Sequence, residues 1–198
     1  GYYSRTKESA DIAATFTNTR SFESIEELVK SCDTIFLTTS DSAIENVWNC
    51  IDRFDLKDKV ISHFSGSLSS DIFSGIEKTG AYGCSIHPMY AFSDKFTSYR
   101  QFNTACLTME GHREAILKMK SLFGDRLGHR IFTLDSKDKI KYHAAAAFAR
   151  NYVDAIMQIA VDLMAQCGFT EEDTYTLLGH IVKNNVNSII DNGTVASL

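Results

Sequence analysis

Three histidines and an asparagine are the side chains of this sequence best suited to proton transfer and to holding a polar substrate. His63 and His87 stand near the ends of the short apolar runs "VISHF" and "YGCSIH", while His143 and Asn151 lie eight residues apart in "KYHAAAAFARN" with Ala147 midway. An imidazole titrates near about pH 6.5, so it can give or take a proton at neutral pH. His87 precedes Pro88, the only proline, which biases it to an extended conformation and directs the chain out of its element. It can exchange a proton with a reacting carbonyl or imine, or it can brace a turn. For His63, a functional role and a hydrogen-bonded structural one are both open.

Hydroxyl groups and one guanidinium form a second set. "GYYSRT" places Arg5 between Ser4 and Thr6, a combination that suits a phosphate, or a solvated turn. "LTTSDSAI" presents Thr38, Thr39, Ser40 and Asp41 in succession, and Ser40 or Asp41 can also cap a following helix. "SHFSGSLSSD" brings Ser65, Gly66 and Ser67 together, and the glycine lets a ligand approach the backbone. No GxSxG segment accompanies these serines, so their hydroxyls position rather than attack.

The elements that must hold these residues follow from periodicity. Short β-rich runs are expected at residues 1–4, 34–39, 60–64, 82–87, 105–108 and 130–133, alternating with helical stretches. A helix after Thr6 is expected, then one in "SFESIEELVKS" opened by a serine cap, then helices over 41–53 and 67–76. Strand, polar turn and helix in repetition signal a parallel α/β sheet, whose ligands bind at the carboxyl ends of strands. From Ser136 the strands stop, and a long apolar helix to Gly168, then another from Thr170, are expected to pack on other helices or on a second copy. This gives two domains, 1–133 and 134–198.

In such a sheet, the end of the second strand lies beside the adenosine ribose. An acidic residue there favours NAD; Ser4, Arg5 and Thr6 suit the 2′-phosphate of NADP. Thr38, Thr39, Ser40, Ser65 and Gly66 would then line the crevice near the ribose or nicotinamide. His143, Ala147 and Asn151 recur at i, i+4 and i+8, and so share a helical face at the mouth of the sheet.

Composition narrows the partners. Twenty Lys and Arg against 25 Asp and Glu give a net charge of −5 over 198 residues without a basic stripe, which argues against nucleic acid. The five cysteines are widely spaced, with no zinc-ligand pattern, so free thiols in a cytoplasmic protein are expected and no metal. No apolar run is long enough for a bilayer.

Taken in order, "GYYSRT", "CDTIFLTTSDSAI", "SHFSGSLSSDIF", "CSIHPMYAF", "KYHAAAAFARN" and "CGFTEEDTYTLL" resemble the Rossmann-like, NADP-oxidoreductase-type proteins with a C-terminal helical domain of unknown function. These are similar in plan to pyrroline-5-carboxylate reductases, deazaflavin-dependent NADP reductases and the 6-phosphogluconate dehydrogenase superfamily. The resemblance implies a nucleotide-binding domain followed by a helical domain that often dimerises, hence a homodimer. It implies contacts of Ser4 and Arg5 with the 2′-phosphate, of Thr38, Thr39 and Ser65 with the nicotinamide side, and of His87, His143 and Asn151 with a small-molecule substrate.

Two departures stand out. The related dehydrogenases carry a catalytic lysine one helical turn before their asparagine, where this sequence has Ala147. Besides an oxidoreductase, a catalytically silent NADP-binding sensor or a helical oligomerisation module is therefore consistent with the pattern. There is also no GxGxxG, so the first strand and its pyrophosphate-binding glycine turn are expected to lie outside this sequence. It reads as part of a longer protein, binding a dinucleotide poorly on its own and leaving an unfilled sheet edge beside Ser4.

Overall fold

The computed structural model describes residues 1–94 and 96–196. They form two compact units, Gly1–His143 and Ala144–Leu198. The first is built on a five-stranded sheet: β1 (Thr34–Leu37), β2 (Val60–His63), β3 (Tyr82–Met89), β4 (Cys106–Gly111) and β5 (Ile131–Thr133), in that spatial order. The sheet is mostly parallel, but β3 and β4 run antiparallel, a departure from the uniformly parallel expectation.

Around the strands lie α1 (Lys7–Phe16), α2 (Ile25–Ser31), α3 (Asp41–Ile51) and α4 (Arg113–Met119), the last continuing through a π-helical turn at Lys120–Arg126. Val29, Ile35, Leu37, Ile44, Trp48, Ile51, Ile61 and Phe73 form one apolar core; Val60, Cys84, Ile86, Leu107, Met109, Ala115 and Met119 form another. Trp48 is fully enclosed, and its indole N–H donates to the Ser74 carbonyl at 3.0 Å, so its polar atom is satisfied.

Several local expectations need correction. Residues 1–4 form no strand: Tyr2 makes a single bridge to Ser21, outside the five-stranded sheet, and one bridge cannot sustain a ladder. β1 is therefore the edge of that sheet. The cap of α2 is Ser24, whose hydroxyl accepts from the Glu27 N–H at 3.1 Å, rather than Ser21 at the head of the segment. No helix spans 67–76. That stretch makes two short 3-10 turns, Ser70–Ile72 and Ile76–Lys78, because the Ser69 hydroxyl and the Glu110 carboxylate take N–H groups a helix would use, and Gly75 has φ +75°. The α4 segment went unrecognised in the sequence.

The long C-terminal helix begins as α5 (Lys139–Ala147), passes a π-helical turn at Phe148–Tyr152, and continues as α6 (Val153–Gln166), with Gly168 at φ +89° after its end. Thr170 and Asp173 then form a capping box for α7 (Glu171–Asn192). In the second unit, Ile156, Ile159 and Leu163 of α6 and Ile181 and Ile190 of α7 are exposed. Among the described residues no helix is long and apolar enough to cross a membrane.

Candidate functional site

Strand register assembles the site. His63 pairs with Ser85 across β2 and β3, and Ser85 with Glu110 and His87 with Thr108 across β3 and β4. Side chains alternate between faces along a strand. Cys84, Ile86, Leu107 and Met109 therefore enter one core, while His63, Ser85, His87, Thr108 and Glu110 share the opposite face. A buried polar face persists only if its groups are partnered, and these are.

Glu110, 1% exposed, accepts from the Ser70 N–H at 2.8 Å and the Ser70 hydroxyl at 2.7 Å. Lys139, at the start of α5 and also 1% exposed, donates from Nζ to Ser85 Oγ at 2.6 Å. Burial pushes the Lys139 pKa down, and the negative charges of Glu110 and Asp41 oppose that shift. One turn along α5, the Tyr142 hydroxyl lies 2.8 Å from His87 Nδ1, with the rings edge to face. Burial lowers the His87 pKa to about 4, with Lys139 and then His143 adding to the effect, so the ring is neutral at pH 7.

The loop after β2 closes one side. Ser65 Oγ donates to Asp41 at 2.7 Å and accepts from the N–H groups of Ser67 at 3.2 Å and Leu68 at 3.0 Å. Ser67 Oγ also donates to Asp41, at 3.2 Å. His63 is fully buried: Nδ1 accepts from the Ser65 N–H and Nε2 donates to the Ser69 carbonyl, each at 3.2 Å. Burial holds its pKa at about 4, so of the two roles open in sequence this ring performs the structural one. Gly66 is there because of space: a Cβ would sit 2.8 Å from His87 Nε2 and 3.2 Å from His143 Nδ1.

Among the sequence candidates, Ser65, Gly66, His87 and His143 come together here. Thr38, Thr39 and Ser40 follow β1 and are exposed; Ser40 is at the N-cap position of α3 but makes no side-chain cap bond, and Asp41 turns to the serines instead. Ser4 is half-buried, and Arg5 and Thr6 are exposed where α1 begins; Thr6 caps that helix by accepting from the Ser9 N–H. Lys7 is engaged by Asp11 and Glu23, whereas Arg5 has no ion pair among the described residues. Asn151 is exposed on the π-helical turn of the second unit.

Lys139, Tyr142, Ser85, Thr108 and Glu110 were missed as site residues. Two signals were available. Lys139 is four residues before His143, extending the 143–147–151 face one turn back, and "CLTMEG" alternates apolar and polar residues so as to place Thr108 and Glu110 on one side.

Comparison with known proteins bears on the fold. The model of one family, a domain of unknown function (DUF2520), matches residues 105–198. Protein TM1727 from Thermotoga maritima has a similar structure, with a TM-score of 0.76 and 24% identity over 98% of this chain and 72% of that one. The candidate NADP oxidoreductase BF3122 from Bacteroides fragilis matches with a TM-score of 0.72 and 18% identity, over 99% of this chain and 72% of its own. Plasmodium falciparum pyrroline carboxylate reductase with NADP bound gives 0.64 and 16%, over 98% and 68%. No curated protein matches by sequence. The chain thus has the Rossmann-like fold of the NADP-oxidoreductase-type proteins, with a DUF2520 match over residues 105–198.

Proposed function

We propose that this protein is an NADP-dependent oxidoreductase acting on a small carbonyl or imine substrate. The observation that carries this reading is the polar face of β2–β4. It meets the loop following the carboxyl end of β2 at Gly66, the kind of strand-end crevice in which open α/β sheets hold ligands. A Cβ at Gly66 would crowd His87 and His143, so the glycine is what lets the loop after β2 lie against both imidazoles. The residues present fit a nicotinamide dinucleotide at both ends. Arg5 and Ser4 suit the 2′-phosphate, and Thr38, Thr39, Ser40 and Gly66 suit the ribose and nicotinamide.

When bound, the dinucleotide supplies hydride chemistry, which the side chains here do not. The protein orients the substrate and handles its proton. His87 and His143 face the substrate, Asp41 holds the Ser65–Ser67 loop in place, and Lys139 supplies positive charge beneath the site. NADP is favoured over NAD because Arg5 is free of ion pairs among the described residues, whereas Lys7 is occupied. Fluorescence titration of the intact protein is expected to show NADPH bound at least tenfold tighter than NADH, with Arg5→Ala removing the difference. Equal, millimolar-weak binding of both would contradict the reading. The exposed apolar residues of α6 and α7 further suggest a homodimer; sedimentation at the monomer mass would exclude it.

A further inference from the structure

The oxidoreductase reading leaves open where the substrate's proton comes from. A protonated imidazole is the usual source, but His87 is neutral at pH 7, with its pKa near 4. It is faced by Lys139, Tyr142 and His143 of α5 and by Asp41 at the start of α3, and three of these four can carry positive charge or lie uncharged beside it. A neutral ring transfers a proton only by receiving another on its second nitrogen.

The second nitrogen is occupied by a phenol. Tyr142 Oη is 2.8 Å from His87 Nδ1, and the two rings cross at 83°. The Thr108 hydroxyl donates to the His87 carbonyl at 3.4 Å, and burial pushes the Tyr142 pKa up, so the phenol holds its proton. Nδ1 is the partner of that phenol hydroxyl, and a phenol that keeps its proton donates it there. The imidazole proton is then on Nε2, the nitrogen that lies beside the Gly66 backbone. Lys139 Nζ lies 6.0 Å from the centre of the Tyr142 ring, so a positive charge stands close to the phenol.

We propose that Tyr142 is the proton reservoir of this site, and that His87 relays its proton from Nδ1 to the substrate through Nε2. The inference rests on the oxidoreductase reading. As the carbonyl carbon receives hydride from a dihydronicotinamide, the C=O π pair moves to oxygen, which takes the His87 Nε2 proton. His87 Nδ1 takes the phenol proton, the imidazole stays neutral, and the tyrosinate left behind is stabilised by Lys139 until water reprotonates it. His87 touches the substrate and is the catalytic residue; Tyr142 acts through it and is a positioning residue.

The test is spectroscopic and needs no substrate. In 15N NMR of the ligand-free protein, His87 should be a neutral Nε2–H tautomer from pH 5 to 9, and Tyr142→Phe should give a mixture of tautomers. Adding NADP+ brings the positive nicotinamide beside Nε2, so tyrosinate absorbance near 295 nm should appear at a pH at least one unit lower than in the free protein. Tyr142→Phe should abolish that absorbance change while NADP+ still binds. A His87 ring that is Nδ1–H, or protonated at pH 6, would overturn the relay, as would tightly bound NADP+ with no shift in the tyrosinate signal. Failure of NADP+ to bind at all would instead remove the oxidoreductase reading, and the relay with it.

Discussion

The two faces of β3 and β4 are made by the same strands in the same register, yet they do different work. One carries Cys84, Ile86, Leu107 and Met109 into a closed apolar core. The other carries Ser85, His87, Thr108 and Glu110, all buried or half-buried and all hydrogen-bonded. The apolar face gains stability simply by leaving water. The polar face gains little net energy from its hydrogen bonds, and its buried charges cost desolvation that their partners must offset.

Mutations can set the two faces against each other. Lys139→Met removes a buried cation and leaves Ser85 Oγ without its donor, so it should cost about 1–3 kcal/mol in denaturant unfolding. It should also raise the His87 pKa, since Lys139 is one of the groups depressing it. Leu107→Ala on the other face should cost about 2–5 kcal/mol by opening a cavity, with the His87 titration unchanged. If both variants moved that titration alike, the faces would not be independent.

Acid should sharpen the contrast. Folded His63 stays neutral down to about pH 4, while the unfolded ring protonates near 6.5, so the unfolded state binds more protons between these values. Stability should fall as pH drops from about 6.5 to about 4, by on the order of 3 kcal/mol from His63, with no further loss from it below that range. His63→Gln should flatten this part of the stability–pH curve.

Sequence made the alternating architecture legible, because buried strands such as "TIFLTT" and the capped helix after Thr170 announce themselves through local pattern. It also singled out Gly66, His87 and His143. What it hid depends on partners far along the chain. The Tyr142–His87 contact spans 55 residues and the Lys139–Ser85 contact 54, so neither has a local signature. Residues 1–4 look like a strand by composition, but strand identity requires a ladder, and only Tyr2 finds a partner. Residues 67–76 look helical, but their backbone N–H groups are claimed by Ser69 and by Glu110, which is 40 residues from Ser70 in sequence.

The most direct test of the central claim, that the polar face is where a nicotinamide dinucleotide reacts, is to follow the imidazole resonances while NADPH is added to the intact protein. The account predicts saturable shifts of His87 and His143, at the same NADPH concentration that saturates binding, with His63 and His112 unmoved. Binding that leaves His87 and His143 in place would put the nucleotide elsewhere and contradict it.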